Sequence, residues 1–178
     1  MEINCSGFKL RSLRPDDAHD IAEYANNKKI WINLRDAFPF PYTLENAKSY
    51  IEMTCAQKPQ SFFGIEVNSK IVGMIAVLQG KDVYSISGEI GYWLGEEYWN
   101  KGVMTAAVKA MVDYGFQELG LERIHSGVFE YNTTSMKVLE KAGFIKETIF
   151  KNAVKKDGLI VNEHRYAILK EDYLKMNG

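Results

Sequence analysis

The hydrophobic period of this chain switches from a run of strands to a long helix near its middle, and that switch limits the fold more than any other feature. Residues 62–67 (FFGIEV), 70–80 (KIVGMIAVLQG) and 86–95 (ISGEIGYWLG) are rich in β-branched and aromatic residues, which predicts three strands. Asn68-Ser69 reads as the turn of a hairpin between the first two. Consecutive strands with such short links pair antiparallel, because a parallel neighbour needs a crossover of about a dozen residues or more. From Lys101 the period becomes helical. Val103, Ala107, Ala110, Met111, Tyr114 and Gly115 recur at helix spacing, predicting a helix to about Leu119 with Gly120 at its C-cap.

The flanks extend the pattern. Residues 8–13 (FKLRSL) alternate as a strand, and Arg14-Pro15-Asp16-Asp17 opens a helix expected to reach about Asn27. The segment 31–42 holds two of the four prolines and four aromatics, so it is expected to be an irregular, partly buried loop. Thr43 is a good N-cap for a helix with Ala47, Tyr50, Ile51 and Thr54 on one face. Residues 123–129 (RIHSGVF) read as a strand, and Asn132 caps a short helix ending at Ala142-Gly143. Phe144 opens a strand to about Lys155, Asp157-Gly158 is a hairpin turn, and residues 159–169 return. Lys170 to Met176 form a last helical turn or two. The order β-α-α-β-β-β-α-β-α-β-β is a mixed α/β (α+β) class, with a mostly antiparallel sheet of six to seven strands flanked by helices.

At 178 residues this is one domain, 1–178, large enough to bury a core without disulfides or a structural metal. Lys plus Arg is 22 and Asp plus Glu is 23, a formal net charge of −1. That balance excludes a polycationic nucleic-acid coat protein and a strongly acidic tail protein, but not a local anion site. Two cysteines, Cys5 and Cys55, are no disulfide framework, and the scattered His19, His125 and His164 suggest no metal. The first residues lack a signal-peptide pattern, no apolar run approaches a membrane span, and a reducing cytoplasm is the expected compartment.

The junction YWLGEEYWNKGVMTAA (92–107) can carry chemistry. A helix N-terminus aims its free N–H groups and positive dipole end at an anion, so Asn100, Lys101, Gly102, Val103, Met104 and Thr105 could cradle a phosphate. Gly102 would permit close backbone approach and Lys101 adds a charge; alternatively Gly102 only starts the helix. Neither GxxxxGK[ST] nor GxGxxG is present, which disfavours nucleoside-triphosphate and dinucleotide folds. In the segment 132–144, Asn132 and Gly143 also read as plain helix caps.

Three segments, LRSLRPDDAHDIAEY (10–24), EIGYWLGEEYWNKGVMTAAV (89–108) and NTTSMKVLEKAGF (132–144), resemble the GNAT superfamily of acetyl-CoA-dependent N-acetyltransferases, most closely its RimJ/RimL-like branch. The resemblance implies a splayed central sheet and acetyl-CoA as co-substrate, with no metal. The family turn, Gln/Arg-x-x-Gly-x-Gly/Ala, falls on Trp99, Gly102 and Met104. Trp is common at the first position in this branch, whereas Met in place of a small residue is a departure. The resemblance implies that the amides of 100–105 hold the CoA pyrophosphate. Tyr92, Trp93 and Leu94 would offer backbone groups to the pantetheine arm and an N–H to the thioester oxygen, and Asn132 would touch the CoA arm.

The reaction implied is direct attack of a neutral amine on a thioester. Glu89, on the central strand and five residues before Leu94, is the candidate general base; partial burial would raise its pKa and suit the role. The alternative is a scaffold hydrogen bond. The position of the family's thiolate-protonating tyrosine is Leu139, which cannot donate. Ser135 matches a serine proposed as donor in the branch, against a local hydrogen bond to the Asn132 cap. Glu147 matches another acidic position of the branch. Asn33, Arg35 and Tyr42 are candidate acceptor-lining residues, with the aromatics at 31, 38, 40 and 42 expected to pack. Residues 152–166 read as a solvated hairpin and not a nucleic-acid patch. The expected partners are acetyl-CoA and an amine, either a protein N-terminus or a small molecule, with no nucleic acid or membrane; the chain is expected to be a monomer or homodimer. A CoA-binding sensor without turnover is the alternative, kept open by Leu139 and Met104.

Overall fold

Left-handed turn residues join strands where the sequence leads one to expect them. Asn68 and Ser69 (φ 49° and 66°) connect β3 (Phe62–Val67) to β4 (Lys70–Gln79), and Asp157 and Gly158 (φ 48° and 81°) connect β7 (Ile145–Lys156) to β8 (Leu159–Leu169). The computed structural model describes the backbone of residues 1–178 and the side chains of all but Asn177. The other strands are β1 (Glu2–Cys5), β2 (Phe8–Arg11), β5 (Ser87–Leu94) and β6 (Arg123–Phe129), in the hydrogen-bonded order β1-β2-β3-β4-β5-β6-β8-β7. The helices are α1 (Ala18–Ala25), α2 (Lys28–Trp31), α3 (Leu44–Cys55), α4 (Val103–Gln117), α5 (Thr133–Lys141) and α6 (Lys170–Asn177).

The sheet is mostly antiparallel, as expected, and β5 with β6 is a parallel pair. It has eight strands, one more than the upper expectation. The added strand is β1, whose four residues are too short to show a period; it pairs with β2 from Glu2↔Arg11 to Cys5↔Phe8. The helix expected from Arg14 begins instead as a 3-10 turn at Pro15–Asp17 and becomes α-helical at Ala18. Asp17 explains the tight start. Its carboxylate accepts the Arg14 N–H at 2.7 Å and both terminal nitrogens of Arg11 at 2.7 Å, and both charged groups are buried. Thr43 caps α3 as read, with Asn46 completing a capping box.

The chain forms two compact units, Met1–Ala76 with Tyr92–Ala107, and Val77–Gly91 with Val108–Gly178. In the first, Ile21, Ala25, Ile30, Ala47, Ile51, Ile71, Met74 and Trp93 share one core. The aromatics of 31–42 do pack: Trp31 on Phe40, and Phe38 on Tyr42 and on Trp93. In the second unit, α4 lies close on β6, since a Cβ at Gly115 would stand 2.7 Å from Ile124 Cδ1. Met111, Leu121, Ile124, Leu139 and Tyr166 are all but inaccessible to solvent.

Candidate functional site

In the first unit, β5 ends at Leu94 and the chain makes a 3-10 turn at Glu96–Tyr98 before α4. This link is fixed at almost every residue. The Gly95 N–H donates to Val72 O at 2.7 Å, and the Trp99 indole N–H donates to Leu94 O at 2.7 Å. Glu96 accepts from Asn27 Nδ2 at 2.9 Å and pairs with Lys29; Lys29 first, then Asn27, hold its carboxyl below the usual range. Tyr98 meets Tyr24 edge to face at 5.9 Å, and Lys101 Nζ sits 5.5 Å over the Tyr98 ring. Trp99 also packs on the unit's core, so the residue standing in for Gln/Arg is a strut.

The backbone then turns through two left-handed residues, Asn100 (φ 60°) and Gly102 (φ 79°). The first helical bond of α4 runs from Ala106 N–H to Gly102 O at 3.0 Å. The N–H groups of Val103, Met104 and Thr105 therefore stand in the first turn, where a helix offers no carbonyl of its own. A Cβ at Gly102 would find nothing within 4 Å, and Asn100, Lys101 and Gly102 are exposed. The Met104 side chain is buried, so the departure from a small residue does not obstruct the open side. Open space, aligned donors and a dipole end fit a diphosphate.

The neighbouring candidates divide by environment. Trp93 and Leu94 are buried, leaving backbone as what they can offer, and Tyr92 is half-buried. Asn33 donates to Lys29 O at 2.8 Å, and Arg35 is exposed at the turn closed by Phe38 N–H to Arg35 O. Tyr42 is 6% exposed, its hydroxyl is pushed up to about 12 by burial, and its N–H donates to Asn26 Oδ1.

In the second unit, the parallel ladder runs Ser87↔Arg123, Gly88↔Ile124, Glu89↔His125 and ends there, although β5 continues to Leu94 and β6 to Phe129. Glu89, half-buried, is the last residue of β5 in that ladder. Asn132 caps α5, its Oδ1 accepting the Ser135 N–H at 3.1 Å, which leaves its amide NH2 as the group that can donate elsewhere. Ser135 is half-buried in the first turn. Leu139 has no exposed surface and serves the core. Glu147 is committed to a bidentate pair with Arg123 (2.6 and 2.5 Å), which holds its carboxyl below the usual range.

The hairpin expected to be solvated is in part a structured polar face. Lys156 is 2% exposed, and Glu163, His164 and Arg165 are half-buried. Arg165 Nη1 donates to Glu163 Oε1 at 2.8 Å, and Arg165 Nη2 lies 3.3 Å from His125 Nδ1. Alternation in RIHSGVF and NEHRY puts His125 with Gly127, and Glu163 with Arg165, on one face of their strands. Only the register, Gly127↔Arg165 and His125↔Ala167, joins the two sets. Among the described residues, no group of three or more His, Cys, Asp or Glu could hold a metal ion. No helix among them is long and apolar enough to cross a membrane.

The family model described as an acetyltransferase (GNAT) domain matches residues 8–145. The uncharacterized N-acetyltransferase p20 of Bacillus licheniformis is 39% identical over 172 residues, 92% of this chain and 93% of its own. The probable N-acetyltransferase YjcK of Bacillus subtilis is 38% identical over 136 residues, 74% of this chain and 75% of its own. A crystal structure of a GNAT-family acetyltransferase from Bacillus anthracis has a TM-score of 0.83 at 26% identity, with 96% of this chain and 99% of that one covered. With more than half its length under the family model and its turn, caps and ladder in the expected order, this chain belongs to the GNAT family of acetyltransferases.

Proposed function

We propose that the chain, acting as one domain, moves an acetyl group from acetyl-CoA to a primary amine, a protein N-terminus or a small-molecule amine, by direct attack in a ternary complex. The observation that carries this is the turn at Asn100–Gly102, where two left-handed residues open α4, a Cβ at Gly102 would meet nothing within 4 Å, and the first-turn amides have no helical carbonyl to bond. The amides of Gly102 to Thr105, with Lys101 beside them, hold the pyrophosphate. Backbone groups of Tyr92, Trp93 and Leu94 bind the pantetheine arm, and one N–H there stabilises the oxyanion as charge develops on the thioester oxygen. The Asn132 amide NH2 adds a donor to the same arm. Asn33 and Arg35 contact the acceptor, with Tyr42 as an apolar wall.

Glu89 takes the amine proton. An α-amino group, with a pKa of about 7.7–8.0, needs little help; a lysine amine near ~10.4 needs more. The nitrogen–carbon bond forms, the carbon–sulfur bond breaks, and Ser135 donates a proton to the departing thiolate before recovering one from solvent. The free cysteines Cys5 and Cys55 fit a reducing cytoplasm, and the chain acts as a monomer or homodimer. The test is release of free thiol from acetyl-CoA across an amine panel that includes N-terminal peptides. The expected result is amine-dependent release. CoA binding without release across the panel would instead identify a sensor, and no CoA binding would overturn both.

A further inference from the structure

The second unit holds a line of polar side chains that the reaction above leaves without a role. It lies on one face of β6 and β8, beside Glu89. In register, Glu89 stands opposite His125 in the parallel ladder, and His125 is opposite Ala167 on β8. Residues directly opposite share a face, so Glu89, His125, Gly127, Arg165 and Glu163 lie along one surface of this sheet. Arg165 is held from three directions: Glu163 Oε1 at 2.8 Å, the Phe150 ring with its centroid 5.5 Å away, and His125 Nδ1 at 3.3 Å.

A guanidinium donates and never accepts. His125 Nδ1 therefore accepts from Arg165, and the ring's proton is on Nε2. Protonating Nδ1 would set two donors and two positive charges against each other. The charged groups facing the ring are Glu89 from β5, Arg123 on its own strand, Arg165 from β8 and Glu147 from β7. Burial is the main force keeping the ring below the ordinary histidine range; Arg165 and Arg123 add to it, and Glu89 and Glu147 oppose it. The lock also needs a glycine. A Cβ at Gly127 would fall 2.6 Å from the Glu163 carboxyl carbon, so any larger residue would displace the carboxylate that anchors Arg165.

We propose that His125 is a positioning residue for Glu89, locked by Arg165, Glu163 and Gly127 as a neutral ring with its proton on Nε2, so that the ring meets the base as a neutral donor and not as an imidazolium. The proposal rests on the reading of Glu89 as the base. A cation beside a carboxylate weakens it as a proton acceptor, and the lock removes that cation across the working pH range.

Two measurements test it, and they separate its failure from that of the Glu89 reading. The first is nitrogen NMR of the His125 ring in the full chain, which does not depend on activity. The expected spectrum shows the Nε2–H tautomer and no titration within the ordinary histidine range. In Arg165→Met, the ring should titrate at higher pH. The Nδ1–H tautomer, or a wild-type ring that titrates in the ordinary range, would overturn the lock. The second is the pH profile of kcat/KM for the amine. In Arg165→Met, the acid limb should steepen by one proton near the new His125 titration, and adding His125→Gln should restore the wild-type slope. An unchanged slope in Arg165→Met, with activity merely lowered, would reduce Arg165 to a structural role. Should Glu89→Gln retain full activity while the NMR result holds, the lock stands but Glu89 is not the base it serves.

Discussion

The turn at 95–105 and the polar face around Glu89 are built on opposite plans. In the proposed reading the turn makes its anion site from backbone, while its side chains work as struts: Trp99 on Leu94 O, Glu96 on Asn27 and Lys29, Tyr98 on Tyr24. The polar face makes its chemistry from side chains, and its backbone only fixes the register that lines them up. A backbone site tolerates substitution wherever φ and the struts survive, so Trp and Met can stand in a motif that elsewhere carries Gln/Arg and a small residue. A side-chain site fails when one member is changed.

That contrast can be broken by mutation, with effects that should fall in order. Glu89→Gln should lower kcat about a hundred- to ten-thousand-fold in steady-state assays while the Kd for acetyl-CoA stays within about twofold. Equal losses in both would show that Glu89 supports the fold and not proton transfer. Trp99→Ala removes packing and a hydrogen bond together, and should cost about 3 kcal/mol of stability by urea denaturation and weaken CoA binding. Trp99→Phe loses the hydrogen bond but keeps most of the packing, and should cost less, about 1–2 kcal/mol. A neutral Trp99→Ala would remove the strut from the account. Ser135→Ala should lower kcat about tenfold with unchanged CoA affinity; full activity would leave Ser135 as a cap residue only.

The smallest effect concerns Glu147. Arg123 holds its carboxyl below the ordinary range in the folded chain, so the pair stabilises the fold above the unfolded-state pKa of about 4.3. The contribution is lost as pH falls through the lower folded value. The pair is part-exposed, with side chains 32% and 40% accessible, so Glu147→Gln should cost less than about 1 kcal/mol at pH 7. The difference between the two proteins should vanish once the pH lies below the lowered folded value, measured as the urea midpoint. A gap that persists at that pH would mean that the pair is not its source.

Features local in sequence were legible. The hairpin turns at Asn68-Ser69 and Asp157-Gly158, the Thr43 and Asn132 caps and the Gly102 turn each depend on residues within about four positions, and each stands where the periods and dipeptides put it. Strand β1 was not legible, because four residues of mixed exposure carry no period. The early helix starts later than its sequence predicts, because the Arg11–Asp17 pair that tightens its start joins a strand to a turn. The lock on His125 was hidden for the same reason at greater range. Forty positions separate His125 from Arg165, and neither residue signals the other until β6 and β8 are in register. The 152–166 hairpin reads as solvated because its charges are visible in sequence and the Phe150 and Gly127 surfaces that receive them are not.

The central claim is that the CoA pyrophosphate is held by backbone and not by side-chain charge, and calorimetric titration of CoA into two variants tests it most directly. Gly102→Val forces a β-branched residue into φ 79°, where its Cβ would meet nothing within 4 Å, and Lys101→Ala removes the nearby charge without touching the backbone. The Kd should weaken at least about tenfold in Gly102→Val, roughly 1.4 kcal/mol, and change less than about threefold in Lys101→Ala. Unchanged affinity in Gly102→Val, or a larger loss in Lys101→Ala, would contradict the claim.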